Sequence, residues 1–290
     1  MRITVQTDTL ETLKEAVESD CHAVRFGPEF CEWKIPSLDI LKEAYEHAIG
    51  AGKKFTYNTP QASNSSLEKI REHLAFLDEE GRIDVVVNDL GTLNILEKYP
   101  ELRPHLGRLL IIIPARCPWP QVTDAYVGFF DKRRVAKIFY QTSLNYIPTI
   151  HLFQEHGVKG VDVDFIPNSL PHYDFLLNNG LELSVHLHFT PVTFTRRCHT
   201  ARFIDEKEPE RCSKPCDSKA FLLKHNMLKE IDLLLCGNVV YRPTKASRKD
   251  VKKLHDKGVE IVISMNSATK IQSREEINAL KKNYGSEGRI

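Results

Sequence analysis

Three of the seven cysteines lie in the stretch CHTARFIDEKEPERCSKPC, from Cys198 to Cys216. Charged residues and prolines separate them, so the stretch reads as a loop and not as a core strand. Buried cysteines usually behave as small hydrophobes among apolar neighbours. Thiols gathered on a polar loop point instead to metal binding or redox chemistry. Four thiolates close a metal site, so three on one loop ask for a fourth. The remaining cysteines, Cys21, Cys31, Cys117 and Cys236, are all open as partners. Spacing leaves the metal open too, because Cys-x3-Cys suits zinc and iron–sulfur equally.

Other residues offer chemistry of a different kind. Arg197 and Arg202 flank Cys198 and could clamp a carboxylate bidentately. His186 and His188 alternate along a strand-like run, which would place both rings on one face, suited to acid–base work near neutral pH. Hydrolytic signatures are missing: the sequence has no HExxH, no nucleophile elbow and no Ser/His/Asp spacing. The catalytic residues stay unknown at this level.

The elements that must position these groups are regular. Strand signals fall at 3–8, 23–27, 54–59, 84–89, 109–115, 160–166, 182–189 and 259–264, rich in Val, Ile, Thr and aromatics. Helical spacings of three and four separate them, in LETLKEAVES, SLDILKEAYEHAIGAG and SSLEKIREHLAFLDEEG, with Ser before the start and Gly past the end. Eight strands alternating with helices predict an α/β fold, a (β/α)8 TIM-like barrel spanning residues 1–290 as a single domain. An open doubly wound sheet is the alternative, but the first strand is followed by no Gly-rich phosphate loop. Two stretches break the rhythm. One is Cys117–Gln141. The other is a cysteine-bearing insertion, 190–244, after the seventh strand.

In a parallel barrel the loops after strands form the active face. Cys31 follows the second strand and shares that rim with the cysteine loop, whereas Cys21 precedes the strand and belongs to the opposite end. Cys236 lies in the apolar run LLLC and reads as a core thiol. Asp8, Arg25, Tyr57, Asn58, Asn88, Asp89 and Asp164 are expected near the mouth from strand ends.

Composition bounds the partners. A formal net charge of +1 gives no global electrostatic case for nucleic acid, and Lys132-Arg133-Arg134 reads as a solvated surface run. The longest apolar run, Leu109–Pro114, is too short to span a bilayer. The first residues lack the apolar stretch of a signal peptide, and an odd number of cysteines fits a disulfide framework poorly, so a cytoplasmic protein is expected.

The motif FG-x3-C at Phe26–Cys31, the RC-x-TAR at Arg197–Arg202, the later Cys212 and Cys216, and the DLG at Asp89–Gly91 resemble the collagenase-like peptidase family U-32, in its ubiquinone-biosynthesis branch. The resemblance implies a [4Fe-4S] cluster held by Cys31, Cys198, Cys212 and Cys216. It implies a part in anaerobic, oxygen-independent hydroxylation of a quinone precursor or an RNA base, alongside a related family protein in a hetero-oligomer. A small-molecule substrate and an RNA are both compatible with the family, and the charge favours the former. Beside this stand two other readings: a non-catalytic subunit with a structural metal, and a peptidase-like hydrolase.

Overall fold

The computed structural model describes residues 1–117, 134, 137–206, 208, 211–224, 231–265 and 277–278. Lys132 and Arg133, and most of the irregular stretch 117–141, lie outside the described residues.

The first half of the chain alternates strictly. It runs β1 (Arg2–Thr7), α1 (Leu10–Val17), β2 (Ala23–Phe26), α2 (Leu38–Gly50), β3 (Lys54–Asn58), α3 (Asn64–Glu80), β4 (Ile83–Val87), α4 (Leu90–Leu96) and β5 (Leu102–Leu106). Then come α5 (Ile147–Glu155), β6 (Gly160–Asp164), α6 (Leu170–Asn178) and β7 (Glu182–Leu187). The last unit is α8 (Arg248–Asp256) and β12 (Glu260–Ser264). The eight strands close into a barrel in the order β1-β12-β7-β6-β5-β4-β3-β2, and every neighbouring pair is parallel.

Local chemistry accounts for these elements. All of β2 and β6 is buried, as befits strands covered on both faces, and the charges they carry, Arg25, Asp162 and Asp164, are ion-paired there. Helices start where a hydroxyl or carboxylate can accept from an orphan N–H. Thr9 caps α1, Ser37 caps α2, Asp89 caps α4 and Ser247 caps α8. Fully buried Leu13, Leu41, Ile70, Leu74 and Leu77 then seat the first three helices on the barrel. Burying each such side chain stabilises the fold by about 1.5–3 kcal/mol.

One strand lies elsewhere than its sequence signal. LLIIIPA at 109–115 is not β5; it is a turn and a 3-10 segment (Pro114–Arg116) after the strand. The strand itself is Leu102–Leu106, despite Pro104. The carbonyl of Pro104 accepts from Lys159 N at 2.9 Å, so its nitrogen faces β6. The β5–β6 ladder begins only at the next residue, His105 opposite Gly160. Proline therefore sits where no N–H is required.

Between β7 and α8 the chain forms a second, antiparallel sheet, β8-β11-β10-β9, from β8 (Phe189–Phe194), β9 (Phe221–Leu223), β10 (Leu233–Cys236) and β11 (Val239–Pro243). A short helix, α7 (His199–Phe203), follows β8. The β10–β11 turn is two residues long, with Gly237 at φ 64°, the left-handed region that glycine enters without strain. The Asn238 side chain then donates to Phe30 O at 2.9 Å and to Thr195 O at 2.8 Å. One amide thereby ties the hairpin to the loop after β2 and to the end of β8.

Candidate functional site

The loop after β2 is set by Gly27. Its φ is 123°, and a Cβ there would stand 2.2 Å from the Asn58 carbonyl oxygen, so no side chain fits. The chain turns across the end of β3 and brings Cys31 to the rim. Its sulfur accepts from the backbone N–H of Trp33. Cys198 caps α7, its sulfur accepting from Ala201 N at 3.4 Å. Cys212 accepts from Lys214 N, also at 3.4 Å. Cys216 lies in the 3-10 turn Pro215–Asp217, against Gly237.

Cys31 joins two small hollows. One is shared with Cys198, Phe30, Trp33 and Phe194, the other with Cys216, Cys236, Asp8 and Lys34. Cys236 is therefore not the core thiol its apolar run suggests. It is half-buried at the rim, and its thiol donates to the Cys216 carbonyl at 3.4 Å. Cys21 is buried at the opposite barrel end, donating to Ala16 O at 3.3 Å. Cys117 donates to Val192 O of β8 at 3.5 Å.

The rim is electrostatically uncomfortable for free thiolates. Burial pushes the Cys31 and Cys236 thiols up to about 11 and the Cys216 thiol to about 12. Neighbouring sulfurs add to the rise, and Lys34 opposes it. Lys34 is itself committed, ion-paired with Asp8 and with Asp217. Burial thus favours the protonated thiols, and a metal cation would favour the thiolates instead. The donors are of the kind that holds a metal as thiolates. As the side chains are oriented, no three His, Cys, Asp or Glu among the described residues converge closely enough to hold an ion. Binding would require the sulfurs to turn inward.

The barrel mouth is closed by a residue that the sequence pattern does not single out. Arg108, 1 % exposed, gives Nε and Nη2 to the two oxygens of Glu29 at 2.5 and 2.8 Å. Its Nη1 donates to Asp164 at 2.8 Å and to Phe189 O at 2.9 Å, while the Phe30 ring lies 5.6 Å away. Burial raises the Asp164 carboxyl above the ordinary range, with Arg108 pulling the other way. Deeper in the barrel, Arg25 donates to Asp162 at 2.5 Å and to Ser184 and Glu260 at 2.7 Å each. Burial alone would raise the Asp162 carboxyl, but Arg25 and His186 outweigh it and hold it low.

Several expected mouth residues go elsewhere. Arg197 and Arg202 are exposed; among the described residues, Arg108 and Arg25 are the arginines ion-paired with buried carboxylates. His186 is buried and its Nε2 meets Asp162 at 2.8 Å. His188 does not continue the alternation: β7 ends at Leu187 and His188 takes φ 76°. The two rings therefore do not share a strand face. Burial lowers His188 to about 4. Tyr57 points outward to α3, its hydroxyl 2.7 Å from His73 Nδ1. Asn58 and Asn88 bond to each other at 3.2 Å and Asn58 to Gln6 at 3.1 Å, which knits the strand tops together. Asp89 is consumed as the α4 cap, and Asp8 by Lys34.

No family model and no curated protein matches the sequence. Among solved structures, the U32 peptidase Mk0906 is similar at a TM-score of 0.45 and 12% identity, over 92% of this chain and 93% of that one. Dihydropteroate synthase from Thermus thermophilus is similar at 0.44 and 14%, over 98% and 93%. Dihydropteroate synthase from Xanthomonas albilineans gives 0.42 and 11%, over 98% and 93%. Likenesses this distant select no chemistry; the closed barrel stands on its own strand pairing. Among the described residues, no helix is long and apolar enough to cross a membrane.

Proposed function

We propose that the rim is an iron–sulfur centre of the UbiV type, with Cys31, Cys198, Cys212 and Cys216 as ligands of a [4Fe-4S] cluster. The observation that carries this reading is the meeting of Cys31, from the loop after β2, with cysteines more than half the chain away. Backbone N–H groups donate to three of these sulfurs, as suits thiolates that keep a negative charge. A bound cluster supplies one-electron transfer. The chain's own residues do the rest: the Gly27 turn fixes Cys31, Asn238 fixes the hairpin beside it, and Lys34 offsets charge at the second hollow. On this reading the protein takes part in oxygen-independent hydroxylation of a quinone precursor or RNA base, in the cytoplasm, with a related protein as hetero-oligomeric partner.

One observation favours a second reading, a non-catalytic subunit. The buried cation at the mouth is already saturated by Glu29, Asp164 and Phe189 O, so it is not free to bind a substrate carboxylate.

Anaerobic purification tests the metal. The expected product is brown, with about four irons per chain. A colourless protein with one tightly held zinc overturns the iron assignment and leaves the ligands standing. Cys31→Ala, Cys198→Ala, Cys212→Ala and Cys216→Ala should each remove most of the metal, and Cys21→Ala none. Reversible reduction of the purified centre favours the redox reading over the structural one.

A further inference from the structure

The rim holds one thiol more than four ligands require. Cys236 is placed by the β10–β11 hairpin, and its sulfur already reaches residue 216, donating to that carbonyl at 3.4 Å. The backbone beside it is close as well. A Cβ at Gly237 would lie 3.4 Å from the Cys216 Cβ and 3.5 Å from its sulfur. The turn that carries Cys236 therefore packs directly against the Cys216 side chain. Both residues are half-buried and line the same hollow, as does Cys31. The Cys236 sulfur thus lies in contact with residue 216 and shares a hollow with its thiol.

We infer that Cys216 has two alternative partners: the metal when the centre is loaded, and Cys236 when it is empty and oxidised. This rests on the reading of the rim as a metal centre. The oxidant is a peroxide. One thiol gives its proton to solvent, its sulfur attacks hydrogen peroxide, the O–O bond breaks, and a sulfenic acid forms with release of hydroxide. The second thiol displaces that oxygen as water and the S–S bond forms. Overall two thiols and one peroxide give one disulfide and two waters, with two electrons passing from sulfur to oxygen. The pairing stores a ligand in a form that a dithiol restores, and shields it from irreversible oxidation.

The test uses the full chain, reduced and stripped by a chelator, then treated with one equivalent of hydrogen peroxide. Intact mass should fall by two hydrogens, and peptide mapping should join Cys216 to Cys236. The metal-loaded chain should form this link at least about tenfold more slowly, because its thiolates are committed. Cys236→Ser should lose the disulfide yet purify anaerobically with wild-type metal content. Linkage of Cys216 to Cys31, Cys198 or Cys212, or no linkage at all, overturns the inference. Loss of metal in Cys236→Ser also overturns it, since Cys236 would then be a ligand. A wild-type chain that holds no metal but still joins Cys216 to Cys236 upholds the pair and overturns the metal reading instead.

Discussion

The barrel interior and the cysteine rim treat their polar atoms in opposite ways. Inside, Arg108 and Arg25 each meet two carboxylates through charge-assisted bonds, with every nitrogen of Arg108 used and Arg25 Nε left over. At the rim, five cysteines crowd together, and burial pushes up the thiols of Cys31, Cys212, Cys216 and Cys236. Lys34, the cation beside them, is shared by two aspartates. The difference separates structure from function. A buried charge with all its partners holds a fold together and has little left to give a ligand. The rim is a group of soft donors without a common partner, and the proposed metal centre would supply one.

Removing one partner of the interior network should have the largest effect. Arg108→Met leaves Glu29 and Asp164 buried without their cation and should cost about 3–5 kcal/mol of stability, read by urea unfolding. A loss below about 1 kcal/mol would mean that the mouth is not locked as described.

A second difference lies in pH. Burial, with Lys69 nearby, lowers His73 from 6.5 to about 4, while Tyr57 holds its Nδ1 face. As pH falls, the unfolded chain takes up this proton before the folded one does. Stability should therefore be full above pH 6.5 and be lost on acidification toward pH 4, by up to about 3 kcal/mol. His73→Gln should shrink that limb and leave the part due to His188, which burial also lowers to about 4. Metal removal should leave it in place, because His73 belongs to the barrel and not to the rim; thermal unfolding across this range checks both.

Gly27→Ala acts where the two regions meet. The positive φ alone costs about 1–2 kcal/mol, and the added methyl must displace the Asn58 carbonyl. The expected signature is a modest fall in melting temperature with a larger fall in metal content, since Cys31 is carried on that turn. Smallest of all should be Arg197→Ala and Arg202→Ala. Both side chains are exposed, and each change should fall within about 0.5 kcal/mol. A larger loss, or loss of metal, would return these arginines to the site.

Much of the barrel is legible because strands covered on both faces leave apolar β-branched runs, as in TVQT, DVVV and EIVIS. The fifth strand is not, because LRPHL carries a proline and two polar residues while LLIIIP beside it carries the stronger signal. That displacement also hides Arg108. With the strand ending at Leu106, Arg108 falls just past its C-terminal end, where mouth residues belong; with the strand taken from 109 it looks like a flanking charge. The cysteine rim is readable from the polar setting of Cys198, Cys212 and Cys216. Cys236 misleads because LLLC lies in a small sheet whose strands are only partly buried, so apolar sequence there does not mean barrel core. The end of alternation at His188 leaves no signal, since a histidine at positive φ looks like any other.

The Asn238 amide binds Phe30 O across 208 positions of sequence. Such a contact cannot form until nearly the whole chain has been made and the barrel has come together, because long loops close late. Cys31 therefore waits on the emerging chain, reduced and without its companions, for most of synthesis. Any metal that settles there early would meet a single thiol. On the proposed reading, loading would come after folding, and an occupied rim would act as a late staple: it would protect the small sheet from proteolysis while leaving the barrel beneath it unchanged.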